Sequence, residues 1–276
     1  MRVYRRYPYM AIFGALVIVA LTYIPLIFVL ANSFKNAAEF ANSPFALFVH
    51  FHFSNYIVAW KGVDRYLSNT VIVAIISVII GVPAAALSSY GFAQLEFRFK
   101  GVLFYLFLGL LMIPWTLTLI PLFVEIHTFD IFNTWWALIL PYAAGSQPLL
   151  IFMFRVFFEG IPEELYESAR LDGCSEVGIL ARIVTPLSIP ILLTGTILMF
   201  NSIWGDYLWP TLVLQNYHLL TISAGLETFI NTFGLSAQGI GPEFAAYIIA
   251  MVPIMALVTI TMKYFVSGVT SGALKA

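Results

Sequence analysis

The sequence predicts an all-α integral membrane protein with six transmembrane helices. Of the 276 residues, 61% are hydrophobic and 10% charged, and the mean hydropathy is +0.93. Soluble domains carry about 25% charged residues, so the composition excludes an ordinary soluble domain. A spanning helix needs roughly 20 apolar residues. Six such runs occur, at about residues 9–31, 67–93, 101–124, 131–154, 183–205 and 244–262.

The first run follows three basic residues, an arrangement that is also typical of a signal peptide. Its apolar stretch, Tyr9 to Ala31, is longer than the usual signal core of about 7–15 residues, so it is expected to be a retained anchor. The third, fourth and fifth runs contain no Asp, Glu, Lys, Arg or His. Two other uncharged runs, 40–60 and 207–226, are rich in polar residues. Both are interpreted as external loops with interfacial segments.

The distribution of basic residues predicts the orientation of the chain. With the N-terminus inside, the cytoplasmic segments hold ten of the thirteen Lys and Arg residues. The outer loops hold only Lys35, Lys61 and Arg65. Because positive charge collects on the cytoplasmic side, both termini are expected in the cytoplasm of a multi-pass protein. Residues 1–276 are interpreted as one membrane domain.

A long hydrophilic segment at about 160–185 separates the fourth and fifth runs. Pro162 suits a first helical position, and the carboxylates of Glu163 and Glu164 suit the first turn. Gly173 suits the left-handed residue that ends a helix, and Ser175 can cap a second helix. The segment therefore predicts a cytoplasmic helix, a glycine turn and a second helix that Pro186 limits.

Periodicity predicts one face for each of these two helices. The first face consists of Leu165, Ser168, Ala169 and Asp172, and the second of Val177, Leu180, Ala181 and Val184. A plain solvated connector is one alternative, and a DNA-binding helix-turn-helix is another. Six acidic residues between 159 and 176 would repel phosphate. A docking element for a soluble partner protein is the interpretation that remains, and nucleic acid is not expected as a partner.

The same segment resembles the membrane subunits of binding-protein-dependent ABC importers. Their pattern is Glu-Ala-Ala, three residues, Gly, nine residues and Ile-x-Leu-Pro. This sequence matches it at Glu167, Ala169, Gly173, Ile183 and Pro186, with both intervals intact, and departs from it at Ser168 and Thr185. Two further stretches, Tyr66-Leu67-x-Asn69 and Trp204-Gly205-Asp206-Tyr207-Leu208-Trp209-Pro210, resemble the carbohydrate-uptake branch with its MalG-like subunits.

The resemblance implies a type I ABC importer permease fold with a cytoplasmic coupling helix-turn-helix. It implies three kinds of partner besides membrane lipid: a second permease subunit (another chain), two ATPase subunits and an extracytoplasmic sugar-binding protein. It also implies a location in the cytoplasmic membrane of a prokaryote. The residues implied to dock the ATPase are Glu163, Glu164, Leu165, Glu167, Ser168, Ala169, Asp172, Gly173, Ile183 and Pro186.

The chain is not expected to be an enzyme or to power transport itself. A P-loop needs Gly-Lys-Ser/Thr, and no lysine in the sequence follows a glycine. Ion-driven carriers bury ionisable groups in their spans, and none lies in the central part of a predicted span. Cys174 is the only cysteine and the four histidines share no ligand spacing, so no metal site or bound cofactor is expected. ATP and Mg²⁺ would be used by the partner ATPase.

One cluster of polar and aromatic residues after the fifth run could line a solute path. Flat rings and hydrogen-bonding groups suit a pyranose, but Trp and Tyr also collect at membrane interfaces. The candidates are Asn201, Trp204, Asp206, Tyr207 and Trp209. Neutral spans favour a neutral solute, and a sugar is the expected one. A polyol or glycerol phosphate carried by the same machinery is an alternative, and an ATP-independent facilitator is another.

Overall fold

The computed structural model describes residues 8–47, 50–233 and 239–273, and every regular element in them is helical. The helices are α1 (Pro8–Asn32), α2 (Ala37–Asn42), α3 (Ser54–Gln94), α4 (Lys100–Leu110), α5 (Trp115–Thr128), α6 (Trp136–Gly145), α7 (Gln147–Glu159), α8 (Glu163–Leu171), α9 (Glu176–Ile179), α10 (Thr185–Leu187), α11 (Ile189–Gly205), α12 (Leu208–Val213), α13 (Ile222–Phe233) and α14 (Ile240–Ala273). A π-helical turn, Leu180–Val184, joins α9 to α10, and a 3-10 turn, Tyr217–Leu219, precedes α13.

Three stretches of helix in the described residues are long and apolar enough to cross a membrane. They are Tyr9–Asn32, Ser54–Gln94 and Ile240–Met262. Three bent pairs, α4 with α5, α6 with α7, and the 176–187 stretch with α11, raise the number to six if each pair is one span. The basic residues Arg2, Arg5, Arg6 and Lys275, which carry part of the orientation prediction, lie outside the described residues.

Helix breaks are the main difference from the spans predicted by hydropathy. The predicted run 101–124 is two helices that meet at 99°, and 131–154 falls in two helices bent by 40°. Pro114 explains the first break, because it has no amide hydrogen to donate to Leu110 and disfavours helical geometry in the residue before it. The predicted run 183–205 bends by 83° between Leu187 and Ile189. An apolar run predicts membrane residence, but it does not predict a straight helix.

The described residues fall into two compact units, one within Met1–Asp64 and Gly225–Pro253 and the other within Arg65–Ala224 and Ile254–Ala276. The assignment of a single membrane domain stays a prediction.

Buried polar groups hold together the first unit. The Asn55 side-chain amide donates to the carbonyls of Ser33 and Lys35, both at 2.9 Å. The buried Lys35 ammonium donates to the carbonyls of Ser43 at 2.9 Å and Pro44 at 3.1 Å. These bonds satisfy carbonyls in the non-helical segments that follow α1 and α2.

The second unit contains a core of apolar side chains from α3, α6, α7, α11 and α12. Phe154 and Phe158 of α7 are fully buried in it, as are Leu138 of α6 and Trp209 of α12. Tyr166 and Ile179, from the segment between the fourth and fifth predicted spans, reach the same core. That segment is therefore packed onto the helices rather than extended away from them.

Gly195 permits the close packing of α11 against α7, and its replacement by alanine is expected to destabilise the protein by about 1–3 kcal/mol through overpacking. An added Cβ would lie 2.6 Å from Phe154 Cζ and 2.8 Å from Leu150 Cδ2, both buried side chains with little room to move. The measurement is the melting temperature in detergent. Gly101→Ala is the matched control, because nothing lies within 4 Å of its added Cβ. A Gly195→Ala protein that melts at the wild-type temperature would contradict this packing.

Candidate docking segment and solute cavity

The segment after α7 forms two short helices around a tight turn. Gly173 has a φ of 79°, and its amide donates to the Arg170 carbonyl at 3.0 Å. The Cys174 amide donates to the Ala169 carbonyl at 3.0 Å, which completes a Schellman ending for α8. Ser175 Oγ accepts from the Gly178 amide at 3.2 Å and caps α9. The left-handed glycine and the serine cap, both predicted from the sequence, are confirmed.

The predicted face of each short helix contains both buried and exposed residues. In α8 Ala169 of the predicted face points into the protein, together with Tyr166, which was not included. In the second helix Leu180 and Val184 are buried and are joined by Ile179. The remaining members of the predicted faces are exposed, namely Leu165, Ser168, Asp172, Val177 and Ala181. Their role in docking stays a prediction.

The outward side of α8 is acidic, with apolar residues at the turn. Its exposed carboxylates are those of Glu163, Glu164 and Glu167. Leu171 is 89% exposed before the glycine turn, and Val177 is 67% exposed after it. Leu171 was not among the predicted docking residues, because it lies off the face that helix periodicity predicts for α8. An acidic surface with exposed apolar side chains is suited to dock into a basic groove that has an apolar floor.

An ion pair holds the two short helices together and joins them to α3. Arg170 Nε donates to Glu176 Oε1 at 2.9 Å, and the Tyr90 hydroxyl donates to Glu176 Oε2. The hydrogen bond from Arg170, followed by that from Tyr90, holds the pKa of the Glu176 carboxyl below its usual value. Glu176 therefore stays ionised at neutral pH and connects α8, α9 and the end of α3. Sequence reasoning did not assign this role, since Tyr90 lies 86 residues away.

Tyr166 anchors α8 from its inward side. The ring is fully buried, and the hydroxyl donates to the Phe158 carbonyl at the end of α7 at 3.0 Å. Burial raises the pKa of Tyr166 to about 12, so the hydroxyl remains a donor at neutral pH. The anchor fixes the start of α8 to the end of α7. The candidate docking segment, residues 160–185, therefore has a defined position on the second unit.

Pro186 does not end the second helix, contrary to the prediction. The chain passes through the π-helical turn, where the Thr185 amide bonds to the Leu180 carbonyl, and continues as α10. A proline ring clashes with the carbonyl four residues earlier, and the wider π turn relieves such a clash. Of the two docking candidates here, Ile183 is half-buried and Pro186 is exposed. The sharp bend follows at Ser188.

A cavity of about 500 Å³ lies in the second unit, where three helix interruptions meet. Leu111 and Trp115 line it from the α4–α5 break, Gly145 and Ser146 from the α6–α7 break, and Asp206 from the end of α11. Its polar lining also includes Tyr142 and Ser202. Irregular backbone in membrane proteins is tolerated where it is buried or lines a water-filled cavity. The cavity is within the size range of small-molecule sites.

The structure disperses the solute-path candidates that the sequence grouped together. Asp206 lines the cavity, Asn201 and Tyr207 are exposed, and Trp204 is buried. Trp209 is fully buried, and its indole nitrogen donates to the Ala137 carbonyl at 2.9 Å, so it supports the fold. Three other polar residues of the cavity were not singled out in the sequence, because no local pattern connects them with Asp206 or with Trp115; they are Tyr142, Ser146 and Ser202.

Comparison with known proteins identifies the family of the chain. Residues 70–271 match the family model described as "Binding-protein-dependent transport system inner membrane component". A probable ABC transporter permease protein, YurM of Bacillus subtilis (strain 168), is 36% identical, and the alignment covers 96% of this chain and 87% of YurM. The trehalose/maltose transport system permease protein MalG of Thermococcus litoralis is 28% identical, covering 96% of this chain and 95% of MalG.

A solved structure shares the fold. It is that of a bacterial ABC transporter involved in the import of the acidic polysaccharide alginate, and one of its chains superposes with a TM-score of 0.82. The match covers 93% of this chain and 96% of that chain at 20% identity. The all-α fold is thus that of ABC importer membrane subunits, as the sequence predicted. The chain belongs to the family of inner membrane components of binding-protein-dependent transport systems.

Proposed function

We propose that this chain is the permease subunit through which an ABC importer moves a sugar across the cytoplasmic membrane. The observation that carries the proposal is the glycine-turned helix pair, with an acidic outer side on α8 and an inner side packed into the helical core. A soluble partner that docks there can act on the transmembrane helices through direct contacts. The sugar class is supported by MalG of Thermococcus litoralis, whose name refers to trehalose/maltose transport.

The chain would work in a complex with two ATPase subunits, a second permease chain and an extracytoplasmic sugar-binding protein. ATP and Mg²⁺ would be used by the ATPase subunits, and this chain would bind no cofactor and have no ATPase site. Both termini would lie in the cytoplasm. The side chains on the 18-residue apolar window of α1 are 0% buried within the described chain, which suits contact with lipid or with the second permease.

The coupling would begin at the docking segment. The carboxylates of α8, with Glu167 among them, would lie near basic residues in a groove of the ATPase, and Leu171 and Val177 would fill its apolar parts. When two ATPase subunits close on ATP, the docked helices would move with them. Glu176 would carry this displacement to α3 through Tyr90, and Tyr166 would carry it to α7. The spans would then change from an inward-facing to an outward-facing arrangement.

Two alternatives to a sugar importer are an importer of another solute and an ATP-independent facilitator. The same machinery could carry a polyol or glycerol phosphate. Glycerol phosphate is the weaker candidate of the two, because it is an anion and the carboxylate of Asp206 lines the cavity. An ATP-independent facilitator would leave the docking segment without a role. The facilitator predicts solute flux in the absence of nucleotide, and the importer predicts none.

The test is reconstitution of the importer from its own gene neighbourhood in proteoliposomes. ATPase activity and uptake would be measured with maltose, trehalose, raffinose, digalacturonate, glycerol and glycerol 3-phosphate, each with and without the candidate binding proteins. The expected result is an ATPase that co-purifies with this chain and is stimulated by one sugar-loaded binding protein, together with ATP-dependent uptake of that sugar. Uptake without nucleotide would overturn the importer assignment. Uptake of only glycerol or glycerol 3-phosphate would overturn the assignment of a sugar as the transported solute.

A further inference from the structure

Three interrupted helices meet at the cavity in the second unit. Its lining is mainly apolar, and its polar side chains lie near two of the interruptions, Tyr142 and Ser146 at the end of α6 and Ser202 and Asp206 at the end of α11. Small-molecule sites are commonly apolar surfaces with a few placed polar groups. Broken membrane helices commonly form solute sites in transporters. The cavity is therefore suited to a solute that has both apolar faces and hydrogen-bonding groups.

The Asp206 carboxylate is fixed in place at the cavity wall. Its Oδ2 accepts from the Tyr142 hydroxyl at 2.8 Å, and its Oδ1 accepts from the Trp209 amide at 3.3 Å. Each carboxylate oxygen can accept more than one hydrogen bond, so Asp206 keeps acceptor capacity for a ligand. Trp209 is itself immobile, since its fully buried indole bonds to the Ala137 carbonyl. A carboxylate held from two sides is pre-organised to accept hydroxyl groups, because it loses little freedom on binding.

An aromatic ring and hydroxyl groups complete the lining. Trp115 presents its indole to the cavity and packs edge-on against Trp209, with ring centroids 6.2 Å apart. Ser146 and Ser202 add hydroxyls. Indole faces pack against the apolar faces of pyranose rings, and carboxylates and hydroxyls bind their equatorial hydroxyl groups. An acidic sugar would place its own carboxylate near that of Asp206, and like charges repel strongly where water is partly excluded.

We infer that the cavity lined by Trp115, Tyr142 and Asp206 is a subsite for a neutral polyhydroxylated solute within this permease, and that Asp206 discriminates against acidic sugars. The inference rests on the proposed function and specifies its substrate class. Asp206 and Trp115 contact the solute, whereas Tyr142 is a positioning residue that holds the carboxylate. A cavity of about 500 Å³ has room for one or two sugar rings.

The experiment measures sugar binding to the complete purified importer without its binding protein, so that only sites in the membrane subunits contribute. Equilibrium dialysis would use radiolabelled maltose, trehalose, raffinose and digalacturonate, with wild type, Asp206→Asn, Tyr142→Phe and Glu125→Gln. Glu125 is the matched control, since it is an exposed carboxylate of α5 outside the cavity lining. Hydrogen bonds to charged groups contribute enough that Asp206→Asn should weaken binding of the neutral sugar about tenfold or more. Tyr142→Phe should weaken it less, and Glu125→Gln should leave it unchanged.

The ratio of neutral to acidic sugar binding separates a ligand contact from a structural role. Wild type should bind the transported neutral sugar at least about tenfold more tightly than digalacturonate, and Asp206→Asn should reduce that ratio, because the repulsion disappears with the charge. A merely misfolded variant would lose both ligands alike. Equal binding of both sugars by wild type, or unchanged binding by Asp206→Asn, would overturn the inference. Sugar uptake by an importer that binds none of these sugars itself would overturn the subsite and leave the proposed function intact. Absence of ATP-dependent sugar uptake would overturn both.

Discussion

Gly173→Val is expected to reduce ATP-dependent uptake at least about tenfold, in line with coupling free energies of about 1–3 kcal/mol between sites. The φ of Gly173 is 79°, a conformation that a β-branched residue adopts only at a cost of about 1–3 kcal/mol. The variant would relieve this strain by opening the Schellman turn, which would change the angle between α8 and α9. The exposed residues that flank the turn would then no longer fit one groove.

A matched control separates the backbone strain in Gly173→Val from the other effects of the added side chain. Nothing lies within 4 Å of a Cβ added at Gly173, so valine meets no steric obstacle from neighbouring residues. Asparagine tolerates the left-handed region far better than valine does, which makes Gly173→Asn the matched control. We expect Gly173→Asn to retain most uptake and Gly173→Val to lose both uptake and co-purification of the ATPase. Wild-type uptake by Gly173→Val would remove Gly173 from the docking assignment.

The sequence predicted the turn well because its determinants are local. A left-handed residue after a helix requires glycine or a close substitute, and a serine at a helix start supplies its own hydrogen bond, so Gly173 and Ser175 carry their geometry with them. Periodicity did not predict which side of α8 and α9 packs against the chain. A short helix that packs against its own chain on one side and serves a partner on the other has two functional faces, and periodicity cannot assign Tyr166 to one and Leu171 to the other.

The cavity could not be predicted from the sequence, since its residues are brought together by helix breaks. Tyr142 and Asp206 are 64 residues apart and meet only because α6 lies beside the end of α11. The sequence did single out Asp206, but grouped it with its chain neighbours Tyr207 and Trp209. Residues close in sequence at a helix end point in different directions. Asp206 lines the cavity, Tyr207 is exposed and Trp209 is buried in the core.

Glu176→Ala is expected to reduce uptake about tenfold while the ATPase still co-purifies at the wild-type ratio. Glu176 bonds to Arg170 through both of its carboxylate oxygens and to Tyr90 through Oε2, so its carboxylate joins α8, α9 and α3. Its loss would leave the docking surface of α8 in place and remove this carboxylate link to α3. Partly exposed ion pairs contribute only about 0–1 kcal/mol to stability, so the melting temperature should change little. Docking and transmission are thus separated by two variants, Gly173→Val and Glu176→Ala.

The matched control for Glu176→Ala is Glu159→Ala, which also removes an Arg–Glu pair, with an Arg155 Nε to Glu159 Oε1 distance of 2.7 Å. Both residues of that pair lie in α7, and the substitution keeps Arg155 and its contact with the Phe104 ring of α4, so uptake should be retained. Tyr90→Phe removes only the bond to α3 and should reduce uptake nearly as much as Glu176→Ala. Retained uptake in both Glu176→Ala and Tyr90→Phe would show that motion reaches the spans by another route, such as the core contacts of Tyr166 and Ile179.

The pH dependence of stability tests the bonds between Arg170, Glu176 and Tyr90 without a transport assay. The pKa of Glu176 is lowered in the folded protein, chiefly by its hydrogen bond from Arg170. Its stabilisation is therefore fully present above the unfolded pKa of about 4.3 and is lost as the pH falls through the lower folded value. The difference in melting temperature between wild type and Glu176→Gln should be constant between about pH 6 and 8 and shrink below about pH 4. A difference that instead grew on acidification would mean that the carboxylate is held by neither Arg170 nor Tyr90, and the proposed route from α8 to α3 would then fail.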